Sequence, residues 1–159
     1  MSFTIRMARD SDVDGIAALV KLYWEFERID GFDHSRVAAL LAELLRRPEI
    51  GCCWIAEGDR GLDGYLLAVT MFSLEHGGTM AEIDELFVVP DKRSTGIGAA
   101  LLRQAHHDLA AAGLVRLQLQ LGVNNQRAKV FYTQHGFGSR GGYQLMDKSL
   151  CGGPSQISQ

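Results

Sequence analysis

Val88-Val89-Pro90-Asp91-Lys92-Arg93-Ser94-Thr95-Gly96-Ile97-Gly98-Ala99 is the stretch on which the reading of this chain turns. An apolar run precedes it and ends at Pro90. After it, Ile97, Leu101, Ala105 and Leu109 recur every four positions. The segment therefore reads as a loop between a strand and a helix. The first turn of a helix leaves about four backbone N–H groups without partners, and the helix dipole favours an anion at that end. Gly96 and Gly98 keep side chains away from those amides, so a phosphate can approach them. Lys92 and Arg93 add positive charge.

Two other phosphate-binding patterns fit poorly. The Walker pattern needs Gly-Lys followed by Ser or Thr, and no Gly-Lys pair occurs in the chain. The dinucleotide fingerprint needs a third glycine where Leu101 stands. It also needs an acid about 20 residues further on, and no Asp or Glu lies between Asp108 and Asp147.

Working outward, Phe3 to Met7 alternates as a strand. Asp10 or Ser11 then caps a helix carrying Val13, Ile16, Ala17, Val20, Tyr23 and Trp24 on one stripe. Gly31 breaks the pattern. Asp33 or Ser35 opens a second helix with Val37, Leu40, Leu41, Leu44 and Leu45 on one stripe, which Pro48 stops. Cys52–Glu57, Leu62–Leu74 and Met80–Val89 read as three strands joined by the turns Gly58–Gly61 and Gly77-Gly78, an antiparallel meander. Beyond the loop come a helix from Gly96 to about Ala112, a strand Arg116–Leu121, a helix Asn125–His135 and a final strand from about Gly142 to Lys148. The order β-α-α-β-β-β-α-β-α-β predicts an α/β (α+β) fold with a mixed sheet and one parallel crossover. Residues 1–150 are expected to form one domain, followed by a disordered tail from Gly152 to Gln159.

At 159 residues the chain suits one core, and 47% hydrophobic with 22% charged residues is ordinary for a globular protein. A formal net charge of -3 with scattered Lys and Arg argues against nucleic acid as a partner. No apolar run approaches the roughly 20 residues of a membrane span, and the N-terminus does not read as a signal peptide. Cys52, Cys53 and Cys151 make an odd count without a framework, and neither they nor the five histidines show metal-site spacing. A cytoplasmic protein without a metal, acting away from the membrane, is expected.

The sequence resembles the GNAT superfamily of acyl-CoA-dependent N-acetyltransferases. Arg93-Ser94-Thr95-Gly96-Ile97-Gly98 fits the Arg/Gln-x-x-Gly-x-Gly/Ala loop of that family. Asn125, Ala128, Tyr132 and Gly136-Phe137 fit its second motif, and the element order matches from Phe3 to about Leu150. The resemblance implies acetyl-CoA as cofactor, with no metal. It implies that the backbone amides of Arg93, Ser94, Thr95, Gly96, Ile97, Gly98 and Ala99 hold the diphosphate. Leu86, Phe87 and Val88 would pair through their backbone with the pantetheine arm, which enters a gap where their strand splays from Arg116–Leu121. Asn125 and Ala128 would contact the cofactor, Asn125 near the pantetheine, and Tyr132 would stand near the sulfur. Members are often dimers, so a homodimer using the C-terminal strand is a further expectation.

The implied reaction needs a neutral amine, so a proton must leave a group with a pKa of ~10. A carboxylate in apolar surroundings can take it. Glu82-Ile83-Asp84-Glu85 supplies three acids. Strict alternation puts Glu85 on a face with Ile83 and Phe87, and Glu82 with Asp84 and Leu86 on the other; a bulge, frequent in the family, would shift this parity. Glu85, acting through a water, is the first choice for the base. Glu82 is the second, because some members carry a base at its offset from the loop. The alternative is that these acids bind substrate cations or face solvent. Tyr132 is the candidate acid for the departing thiolate, against the alternative of a core aromatic. Tyr23, Trp24, Glu75 and Asp84 are the candidates for contacting the acceptor, expected to be a small cationic amine; Cys52 and Cys53 read as core residues. A protein lysine or N-terminal acetyltransferase and a catalytically silent acyl-CoA sensor are the competing readings.

Overall fold

The computed structural model of the protein describes residues 2–151. The chain divides into two compact units, Met1–Asn125 and Gln126–Gln159. The first holds β1 (Phe3–Met7), α1 (Val13–Glu27) after a 3-10 turn at Asp10–Asp12, α2 (His34–Arg46), β2 (Gly51–Gly58), β3 (Gly61–Ser73), β4 (Gly78–Val88), α3 (Ile97–Ala111) and β5 (Leu117–Leu119). The boundary signals act as local chemistry dictates. Asp33 caps α2 by accepting from the Arg36 amide at 2.7 Å. Gly113, at φ +84, lets the chain leave α3 in a left-handed turn. Arg6 ties β1 to the 3-10 turn through a two-pronged contact with Asp12 at 2.8 and 2.9 Å.

The five strands form one sheet in the order β1-β2-β3-β4-β5, antiparallel except for the parallel β4–β5 pair. Opposed residues share a face, so the register sorts the side chains. On one face Cys53, Ile55, Tyr65 and Phe87 join Ile16, Ala17, Leu19 and Val20 of α1 and Val37 and Leu41 of α2 in one core cluster. On the other face Trp54, opposite Leu66, donates to Asp108 of α3 at 2.8 Å. Cys52 and Cys53 do fall on opposite faces. Burial pushes the Cys52 thiol up to about 11 and raises Cys53 as well, so neither is a thiolate at neutral pH.

The alternation expected along β4 does not survive the fold. Leu67 pairs with Glu85 but Ala68 pairs with Ile83, so Asp84 is the extra residue of a bulge. Glu82, Glu85 and Phe87 consequently share the α1/α2 face, while Ile83 and Leu86 share the α3 face. One unpaired residue has inverted the parity of everything before it.

The second unit contains α4 (Gln126–Gln134), closed by Gly136 at φ +87. The final strand expected over Gly142–Lys148 is absent: that segment is irregular, and Tyr143, Leu145 and Met146 are 73%, 76% and 88% exposed. Adjacent Leu145 and Met146 break the alternation, and an extended segment without a ladder partner gains no backbone hydrogen bonds. β5 is likewise shorter than the strand expected over Arg116–Leu121. The expected disordered tail, Gly152–Gln159, lies outside the described residues.

Candidate active site

Glu85 is the centre of the first unit's polar chemistry. Its carboxylate accepts from Trp24 Nε1 at 3.0 Å and from the Tyr65 hydroxyl at 2.6 Å, one donor on each oxygen. Trp24 comes from the last turns of α1, and Tyr65 sits on β3 diagonal to Glu85. Aromatic rings close the surroundings. Phe32 meets Trp24 edge-on at 5.9 Å, and Phe87 lies 5.9 Å from Tyr23 and 6.4 Å from Tyr65. Burial lifts the Glu85 carboxyl above the usual carboxylate range. The bonds from Tyr65 and Trp24 oppose that shift, and the charge of Asp84 adds to it. Burial and the facing carboxylate drive the Tyr65 phenol far upward, so it stays a donor. No cationic side chain forms an ion pair with Glu85 among the described residues.

Glu82 lies on the same face, two pleat positions back and roughly 7 Å along the strand. Gln118 Nε2 donates to its Oε2 at 2.6 Å and Gln120 Nε2 to its Oε1 at 3.0 Å. Asp84 stands out at the bulge. It is exposed, yet the protein around its carboxyl still raises it, with the Glu82 charge adding. Glu75 is not brought to this group. It occupies the turn before Gly78, some 20 Å of strand from Glu85. Tyr65, Gln118 and Gln120 escaped the sequence reading. A signal for the glutamines was present: Gln118 and Gln120 are the polar positions of an alternating strand, which must face something polar or solvent.

The loop before α3 has the properties its residues predict. Among the described residues, the backbone N–H groups of Ser94, Thr95, Gly96, Ile97, Gly98 and Ala99 donate to no protein acceptor; the first amide of the turn to be paired is that of Ala100, on Gly96. Gly96 caps α3 at φ +90, and Ser94 is also left-handed at φ +65. The Thr95 hydroxyl holds the Lys92 carbonyl at 2.6 Å, which keeps the loop tight. Six unpaired amides in succession at a helix start fit a diphosphate.

β4 and β5 pair only from Ala81–Leu117 to Ile83–Leu119, so β4 runs on to Val88 with its β5 side unpaired. The Val89 amide bonds the Asp63 carbonyl at 2.9 Å, which sets the phase of the β3–β4 ladder. Leu86 and Val88 then turn their main-chain groups toward the unpaired side, whereas those of Phe87 face Tyr65. An open strand edge of this kind fits an amide-bearing arm laid alongside it. Of the three residues expected to pair with pantetheine, Leu86 presents its backbone groups and Val88 its amide, the Val88 carbonyl accepting from Arg93 Nε at 3.0 Å, while Phe87 presents its ring to the core.

Asn125 ends the first unit, and its amide donates to the Gly122 carbonyl at 2.9 Å. Ala128 and Tyr132 belong to α4 in the second unit. There the Tyr132 ring sits 5.1 Å from Phe131 and 5.4 Å from Phe137, and Phe131 stacks on His135 at 4.5 Å. Burial pushes the Tyr132 phenol up to about 12, so it remains a proton carrier at neutral pH.

Comparison with known proteins agrees with this geometry. The acetyltransferase (GNAT) family model matches residues 16–137. An uncharacterised N-acetyltransferase of Bacillus subtilis, YhfO, is 32% identical over 133 residues, 84% of this chain and 88% of that protein. An integron cassette protein from the mobile metagenome of Cole Harbour Salt Marsh superposes with a TM-score of 0.79 at 27% identity, over 92% of this chain and 90% of the other. A predicted acetyltransferase of Clostridium acetobutylicum, solved with acetyl-CoA, has the same fold with a TM-score of 0.78 at 14% identity, over 92% of this chain and 96% of that one. With its open β4 edge, its unpaired loop amides and a family match running from Ile16 to Phe137, the chain belongs to the GNAT family and is an N-acetyltransferase.

Proposed function

We propose that this N-acetyltransferase acts on the primary amine of a small cationic molecule, with Glu85 taking the amine proton through a water and Tyr132 returning a proton to the departing thiolate. Acetyl-CoA supplies the activated acetyl group. The observation that carries the acceptor class is Glu85 itself. It is a largely buried carboxylate whose partners, Trp24 and Tyr65, are both neutral. A buried charge without a counterion is costly, and an ammonium entering beside Trp24 would relieve it. The same desolvation raises the carboxyl toward the range where a general base works best.

The diphosphate falls to the amides of Ser94 to Ala99, the expected Arg93 amide being taken by the Pro90 carbonyl at 3.3 Å, and the pantetheine arm to the backbone of Leu86 and the amide of Val88. Asn125 and Ala128 keep the cofactor roles that their motif implies. Tyr132 is suited to its role as a neutral phenol on the second unit's helix. Attack is direct, since burial raises both strand thiols and neither is a thiolate at neutral pH.

A second reading has its own observation. Glu82 lies beside the last rung joining β4 to β5 and is held by two glutamine amides, so both its oxygens are oriented. In that reading Glu82 is the base and Glu85 the ammonium anchor.

The deciding experiment is acetyl-CoA-dependent thiol release over polyamines, aminoglycosides, amino acids and peptides. Turnover on small polycations is expected, and Tyr132→Phe should cut it about 10-fold to 100-fold with acetyl-CoA affinity nearly unchanged. Turnover on peptides alone would replace the small acceptor by a protein amine. Tight acetyl-CoA binding with no acceptor turned over would make the protein a sensor.

A further inference from the structure

Arg93 opens the diphosphate loop, and a cation there invites the role of phosphate ligand. Its side chain is committed elsewhere. Arg93 Nε donates to the Val88 carbonyl at 3.0 Å, back across the loop to the end of β4. Its guanidinium carbon lies 4.5 Å from the ring centre of Phe26 and 5.5 Å from that of Phe87. Phe87 is core, at 4% exposure, whereas Phe26 is 59% exposed in the last turn of α1. The largely uncovered ring of Phe26 offers its face to the guanidinium, an electrostatic contact. A planar guanidinium can stack and hydrogen-bond at once, which a lysine ammonium cannot.

We infer that Arg93 is a positioning residue: its side chain latches the diphosphate loop to β4 and to the exposed Phe26 of α1, and the loop's backbone amides, not the Arg93 charge, carry the anion. This rests on the reading of the loop as the diphosphate site. Ser94 at φ +65 is a conformation a non-glycine residue does not readily hold without support. The latch, together with the Thr95–Lys92 bond, supplies that support. It also joins the cofactor loop to the helix that carries Trp24, so one α1 turn touches both ends of the site.

Calorimetric titration with acetyl-CoA tests this without needing an acceptor. Arg93→Lys keeps the charge but loses the stack and the Nε bond; it should weaken acetyl-CoA about tenfold, matching Arg93→Met. Phe26→Leu, at an exposed position, should weaken it about threefold with the melting temperature unchanged. The double variant Arg93→Lys with Phe26→Leu should bind no worse than Arg93→Lys alone, because both remove one contact. Arg93→Lys binding like wild type would make Arg93 a charge donor and overturn the latch. So would Phe26→Leu binding unchanged, or additive losses in the double variant. Absence of acetyl-CoA binding by the wild type would instead strike the loop assignment itself.

Discussion

Glu82 and Glu85 share a strand and, through the bulge at Asp84, share a face, yet they occupy different chemistry. Glu85 sits under α1 among rings, its oxygens taken by an indole and a phenol. Glu82 sits toward β5, its oxygens taken by two side-chain amides, one of them on exposed Gln120. Desolvation dominates at the first and orientation at the second. The lesson is that residue type and strand position do not distinguish a base from an anchor; what covers each carboxylate does.

The largest expected effect breaks this comparison outright. Glu85→Gln removes the proposed base while keeping the shape, and turnover should fall by about 10²–10⁴, with acetyl-CoA affinity and circular dichroism unchanged. If Glu82→Gln gives the larger loss instead, the two roles exchange. As proposed, Glu82→Gln should cost roughly tenfold, mostly in the acceptor KM.

A pH profile sharpens the contrast. Activity through Glu85 requires its ionised form, so kcat/KM should rise with pH along a limb lying above the ordinary glutamate range. Tyr65→Phe removes a bond that favours the charged carboxylate, so the limb should move further up and turnover at neutral pH should drop several-fold. A limb unmoved by Tyr65→Phe would detach the profile from Glu85. Stability runs the opposite way. A carboxyl raised in the folded state favours the fold at low pH, and that contribution is lost as pH rises through the folded value. Glu85→Gln should therefore gain melting temperature relative to wild type as pH rises from the ordinary glutamate range through the folded value, with no further gain above it, and tyrosine fluorescence or calorimetry across pH would show it. The smallest effect belongs to the exposed end: Gln120→Ala leaves Gln118 in place and should lower turnover by less than about threefold.

Much of the fold was legible because its signals are local. The four-residue spacing of Ile97, Leu101, Ala105 and Leu109, the Asp33 cap and the glycines at 96, 113 and 136 each act within one or two turns of chain. The loop before α3 was legible for the same reason, since its unpaired amides follow from starting a helix there. The final strand was not, because a strand is defined by a partner that the residues of Gly142–Lys148 do not name. Neither were Tyr65 and Phe26, which matter only for what lies across from them.

By itself, the order of residues determined the element sequence as far as α4, the glycine-rich turn with its unpaired amides and the chemical inventory of β4. Those depend on backbone geometry and spacing alone. Tertiary structure alone decided that Asp84 bulges out so that Glu82 and Glu85 face the same helices, that Trp24 and Tyr65 close over one carboxylate and not the other, and that the Arg93 side chain turns inward to Phe26. Each of these is a contact between positions distant in sequence, and its energy exists only once the sheet has paired and α1 has packed upon it.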